Sequence, residues 1–376
     1  MGDILKGKLM LEEVMKYRRD LHKIPELELE CPLTCQYVTK QLEKLHCTIE
    51  HPIPCAVTAF FDAKKEKTIA FRSDMDALPV KEETDVNFKS RYEGRMHACG
   101  HDGHMAMLLG FAKKLDRFYD TLDHNVLLIF QPGEESPGGA HLICETDCFE
   151  KYNVQCVFGM HLWPMIPKGK IATRPNELMA RSSEVNVTIE GKSSHVAKYK
   201  DGIDAMEIGA KYLLKCYEME KSYHPDIYRL LRFGKMESGN VRNVVAAHAR
   251  LEGTLRAFQD EIYWELRKNM HHIAQYLERK YHAQIELEFS LGYPAVINDE
   301  LLVRKVLQID PNIQILDEPE MISEDFAYYL QEVPGVFFFL GTGTGIPLHN
   351  ASFDFDEKIL LKGIDLYTEI AKNLKV

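Results

Sequence analysis

Short apolar runs and amphipathic stretches take turns along the first half of the chain. Residues 56–61, 68–71, 126–130 and 154–160 form apolar runs bounded by polar residues, as strands buried on both faces do. Residues 11–21, 34–45 and 105–115 carry their apolar side chains at helical spacing. Buried strands alternating with helices predict an α/β layer fold with a largely parallel sheet.

Near Arg181 the pattern changes. Val185, Val187 and Ile189 alternate with polar residues, the signature of a strand with one solvated face. A helical stretch (204–218), strands (230–233 and 244–255), a second helix (261–281) and a strand (284–290) follow. That order, βαββαβ, predicts a ferredoxin-like α+β insert. After Gly292 the first texture returns, with helices over 300–307 and 355–374 and a strand over 336–340. The chain is therefore read as a three-layer α/β catalytic domain, 1–180 and 292–376, interrupted by a smaller domain over 181–291.

A length of 376 residues agrees with two cores rather than one. A formal net charge of −11 argues against nucleic acid or an anionic membrane as partner. No apolar run is long enough to span a bilayer. Charges throughout residues 1–17 argue against a signal peptide, and Lys6 stands where myristoylation needs Ser or Thr. Nine scattered cysteines, an odd number, fit reduced thiols and a cytoplasmic setting better than a disulfide framework.

The chemistry-bearing residues all lie after predicted strands. Arg72-Ser73-Asp74-Met75-Asp76 follows the second run, Gln131-Pro132-Gly133-Glu134-Glu135 the third, and Gly159-Met160-His161 closes the fourth. A glycine-rich loop beyond 336–340 ends in Leu348-His349-Asn350. Open α/β sheets bind ligands outside the carboxyl ends of their strands, so these four ends form a candidate site. The densest string is His97-Ala98-Cys99-Gly100-His101-Asp102-Gly103-His104, where Cys99, His101 and His104 are all capable of binding metal. Its plainer reading is a helix start capped by Asp102, with Cys99 as a small buried hydrophobe. Glu134 and Glu135 read either as a solvated acidic turn or as a pair dividing metal binding from proton transfer. His161 ends an apolar strand, where an unpartnered imidazole would be costly. Gly191-Lys192-Ser193 ends like a phosphate-binding loop, but Asn186 stands where that loop needs its first glycine.

With these residues in place the chain resembles the aminoacylase/carboxypeptidase G family of co-catalytic metallohydrolases. It is most similar to the branch of N-acyl-amino-acid amidohydrolases, hippurate hydrolases and N-acetyldiaminopimelate deacetylases. The likeness runs from Leu21-His22-Lys23-Ile24-Pro25-Glu26 through the strings above and Ser194-His195. It continues through Asn243-Val244-Val245, Glu252-Gly253-Thr254-Leu255-Arg256 and Ser323-Glu324-Asp325-Phe326 to Leu348-His349. The resemblance implies two divalent ions held by Cys99, His101, Glu135, His161 and His349, with Cys99 bridging. Zinc suits these donors, and manganese, cobalt or nickel are also compatible. It further implies Glu134 as general base and Asp74 and Asp76 in support. His195 would stabilise the oxyanion in the partner subunit of a homodimer formed through the insert, with Asn243 and Arg256 on the substrate carboxylate. The implied reaction is removal of an acyl group, acetyl in the simplest case, from an N-acyl amino acid such as N-acetyl-diaminopimelate. Tyr199-Lys200 departs from the family's Pro-His pair, and Ile322 stands where glycine is common. Two rival readings are a thiol hydrolase with Cys99 as nucleophile and His101 or His104 as base, and a non-catalytic metal-binding relative.

Overall fold

The computed structural model describes residues 2–375, with side chains from Gly7 onward. Met1 and the Lys6 side chain, on which the reading of the N-terminus rests, lie outside what is described. The chain divides into two units, Met1–Leu178 with Ile297–Glu318 and Asp325–Val376, and Met179–Val296 with Pro319–Glu324. The changeovers expected at 181 and 291 stand against Met179 and Val296 here, and the short return of Pro319–Glu324 leaves no mark in the sequence pattern.

The first segment of the large unit holds β1 (Thr48–Glu50), β2 (Val57–Phe61), β3 (Thr68–Asp74), β4 (Asn125–Gln131), β5 (Val154–Trp163) and β6 (Ile171–Thr173), and β7 (Asn176–Met179) ends on the first residue of the small unit. The small unit holds β8 (Arg181–Glu190), β9 (Arg229–Ser238), β10 (His248–Ala257) and β11 (Gln284–Phe289). After β12 (Val296–Asn298) the large unit ends with β13 (Gln314–Ile315) and β14 (Gly335–Gly341). Its main sheet has the order β1-β2-β4-β3-β5-β14-β6-β13. The central four, β4, β3, β5 and β14, are mutually parallel, so their carboxyl ends emerge on one rim.

β3 is buried along its whole length because helices cover both faces of the sheet. On one face Phe71 meets Phe111 of the His101–Leu115 helix at 4.9 Å and Tyr367 of the Leu360–Asn373 helix at 4.8 Å between ring centroids. On the other, Phe337 meets Phe326 at 4.9 Å. Each buried aromatic contributes roughly 1.5–3 kcal/mol relative to exposure, which holds the rim rigid beneath the site.

The small unit is a ferredoxin-like α+β fold. Its all-antiparallel sheet runs β11-β8-β10-β9, with the Ala205–Lys221 and Asp260–Tyr281 helices on one face. Val185, Val187 and Ile189 alternate into that core with Ile208, Tyr212, Leu266 and Met270. The Asp204 carboxylate accepts hydrogen bonds from Met206 N and Glu207 N at 3.0 and 3.2 Å, which starts the first helix.

Some elements differ from expectation. The strand expected over 244–255 begins at His248. The helix expected over 355–374 begins at Leu360, after Asp356 caps a single tight turn, Glu357–Ile359. β1, β6 and β13 are two or three residues long, below the reach of periodicity. Among the described residues no helix is long and apolar enough to cross a membrane.

Candidate metal centre

Asp74 is the last residue of β3 and His161 lies within β5, so these two stand on the strands rather than after them. Cys99 and His101 arrive differently. Gly100 sits at φ 87°, where a Cβ would meet Leu162 Cδ1 at 2.9 Å, and this left-handed turn opens the His101–Leu115 helix. Asp102 therefore does not cap the helix. Its buried carboxylate binds Arg18 Nε at 3.0 Å and His22 Nδ1 at 2.7 Å.

Two groups of donor atoms overlap at Cys99. Cys99, His101 and His161 bring their donors within 4.8 Å of one another, and so do Cys99, Glu135 and His349. A third group, His101, Glu134 and Glu135, lies between them. Cys99 Sγ is 3.4 Å from His161 Nε2. Glu135 Oε1 is 3.2 Å from His349 Nε2, a contact too poorly aligned to satisfy the carboxylate oxygen. His101 Nε2 and Glu135 Oε1 are buried without a hydrogen-bond partner. Buried polar atoms are rarely left so, and each such loss costs about 1–3 kcal/mol. Soft thiolate, imidazole and carboxylate donors aimed at shared points fit divalent cations.

The tautomers support this. His101 Nδ1 donates to Asp76 O at 2.7 Å and His161 Nδ1 donates to Leu162 O at 2.7 Å, so each ring turns its Nε2 lone pair inward. His349, at φ 63°, is held by its N–H on Ala98 O at 2.9 Å.

The carboxylates have different duties. Asp76 accepts the backbone N–H groups of both Glu134 and Glu135, at 2.9 and 3.0 Å, fixing the two glutamates side by side. Glu134 Oε2 stands 3.8 Å from His101 Nε2. Asp74 accepts from His104 Nδ1 at 2.7 Å and from Arg72 Nη1 at 2.9 Å. Arg72 also reaches Gln131 Oε1 and Asp325 Oδ1, at 2.8 and 2.7 Å. Removing one partner from such a buried ion network costs about 3–5 kcal/mol.

Burial lifts the Asp74 carboxyl, but the Arg72 guanidinium and the His104 Nδ1–H bond outweigh it and hold the group well below the usual range. Burial, with Glu135 and Glu134 adding repulsion, pushes the Cys99 thiol well above its ordinary value. A nucleophilic cysteine needs the opposite shift. A cation among these donors would reverse it. The close Glu135 contact raises His349, while burial lowers His101 and His161. The thiol-hydrolase reading loses its second base as well, because His104 Nε2 already accepts Leu162 N–H at 2.9 Å.

His195, Asn243 and Arg256 belong to the small unit. His195 is exposed and bridges to Val244, and Val196 N donates to Asn243 O at 3.1 Å, so His195 and Asn243 are neighbours. Arg256 is not with them. It lies near the far end of β10, its guanidinium on Met321 O. Arg72 and Gln131 have no role legible in the sequence and Asp325 appears there only within a matching string, because no local spacing shows that Arg72 and Asp325 pair.

A model of Peptidase family M20/M25/M40 matches residues 70–373. An uncharacterized hydrolase of Staphylococcus epidermidis is 37% identical over 379 residues, covering 97% of this chain and 99% of that protein. A putative aminohydrolase from methicillin resistant Staphylococcus aureus superposes with a TM-score of 0.89 at 28% identity, over 97% of this chain and 96% of that one. A Bacillus subtilis protein described as a dinuclear metal binding peptidase of the M20 family gives 0.85 at 29% identity, over 97% and 98%. With its overlapping donor groups and this match over most of its length, the chain belongs to the M20 peptidase family.

Proposed function

We propose that this M20 hydrolase cleaves the amide bond of an N-acyl amino acid, within the amidohydrolase branch of its relatives. Acetyl is the simplest acyl group, and N-acetyl-diaminopimelate a fitting substrate. The observation that carries the reading is the pair of donor groups sharing Cys99, with Glu134 beside them. Cys99, His101 and His161 would hold one divalent ion and Cys99, Glu135 and His349 the second, zinc being the best match and manganese, cobalt or nickel acceptable. Such ions, when bound, acidify water and polarise an amide carbonyl.

The chain's own groups supply the rest. Glu134 accepts the proton of the attacking water and returns it to the departing amine. Asp76 fixes Glu134 and Glu135 through their backbone N–H groups. His195 Nδ1 accepts from Ala197 N at 3.1 Å, which leaves the neutral ring its N–H at Nε2, a donor for the oxyanion.

The function is proposed for a homodimer. From His248, just past the Asn243 loop, to Arg256 β10 spans about 27 Å at strand rise. One small substrate does not span that distance, so Asn243 and Arg256 of one chain would not hold the same substrate molecule. Val196, Tyr199, Met206, Met236, Val241 and Val244 expose apolar surface around the edge strand β9 and the His195 loop. An exposed apolar edge suits a two-fold pair.

Mixing His195→Ala with Glu134→Gln under subunit exchange is expected to restore activity that neither protein has alone. One site of the mixed dimer then carries both defects and the other none. Proven exchange without recovery would place the action of His195 within its own chain or nowhere. The substrate is tested by a hydrolysis screen of N-acyl amino acids with metal-reconstituted protein. Amine release is expected from part of the panel, whereas full metal content without turnover on any member would favour a non-catalytic binder.

A further inference from the structure

His104 sits in the same string as Cys99 and His101, and its side chain lies within 4.8 Å of Asp74 and His101 donor atoms. It is nevertheless spent. Its Nδ1 is 2.7 Å from Asp74 Oδ1, and its Nε2 is 2.9 Å from the Leu162 amide nitrogen, which can only donate. His104 is therefore the neutral Nδ1–H tautomer with no lone pair left for an ion. The His101 atom facing Asp74 is Nδ1, at 3.9 Å, and it is engaged by Asp76 O. That trio of residues is not a third metal site.

We infer that His104 is a positioning residue that sets the orientation of His161. The connection runs through one peptide residue. Leu162 gives its N–H to His104 Nε2 and its carbonyl to His161 Nδ1. Asp74, fixed in turn by Arg72, holds the other side of the His104 ring. The His104 ring also packs edge-on against His161, with centroids 4.4 Å apart. The His101–Leu115 helix thus grips the end of β5 at the residue that turns His161 Nε2 towards Cys99. The inference rests on reading Cys99, His101 and His161 as ion ligands.

The test compares zinc affinity, by chelator competition, and metal content at saturation for the wild type, His104→Ala and His104→Gln. His104→Ala is expected to weaken zinc binding about 10–100-fold, the range for lost outer-layer support, with full content at saturating zinc. His104→Gln, whose amide can donate to Asp74 and accept from Leu162, is expected to regain most of the affinity. Wild-type affinity in His104→Ala would overturn the inference. So would an ion missing at saturation in both variants, since His104 would then be a ligand. Should His104→Ala fail to fold, the wild type answers by NMR with nitrogen-labelled histidine and NMR-active cadmium. Coupling at His161 and none at His104 supports the inference, and coupling at His104 overturns it. A wild type that binds neither zinc nor cadmium would instead remove the proposed metal centre, and this inference with it.

Discussion

Glu134→Gln is expected to lower turnover by about a hundredfold or more while bound metal stays unchanged. The amide keeps the shape of the side chain and leaves the backbone N–H on Asp76 in place, but it cannot accept a proton. Glu135→Gln should behave differently. Glu135 Oε1 is the buried, unsatisfied oxygen beside His349, so its loss should weaken metal binding first and activity as a consequence. Both quantities, kcat under saturating metal and ions per chain, are to be read on the same preparations. Identical behaviour of the two variants would contradict the division between base and ligand.

Cys99→Ala is expected to have the larger effect on metal. Cys99 is the single residue common to both outer donor groups, so its removal takes a ligand from each at once. Bound metal and activity should fall together, by more than in a His349→Ala protein, where only one group loses a donor. Elemental analysis after dialysis against metal-free buffer reads the first quantity, and turnover of the best substrate the second. Unchanged metal content in Cys99→Ala would remove the thiol from the centre.

The buried strands and long amphipathic helices were legible because their periodicity reflects which faces meet a core. The ferredoxin-like insert was legible for the same reason: β8 alternates cleanly between the helices and the open face. Strand edges were less so. Val244 and Val245 look strand-like, yet they lie in the loop that pairs with His195, and apolar character alone does not separate the two roles. At the site, the strings around Cys99, Glu134 and His161 stood out because several donors fall close together in sequence. The pairing beneath them did not. Arg72 and Asp325 are 253 positions apart, and Arg18 reaches Asp102 across 84. Likewise, His104 looks as capable a ligand as His101 until its two partners are seen.

The central expectation is that Cys99, His101, Glu135, His161 and His349 hold two divalent ions on which amide hydrolysis depends. Its most direct test is a titration of chelator-stripped protein with zinc, following bound metal and hydrolysis of the best N-acyl amino acid in one experiment. The stripped protein is expected to be inactive, with recovery that saturates at about two ions per chain. Full hydrolysis in demonstrably metal-free protein, or saturation without any stoichiometric binding, would contradict it.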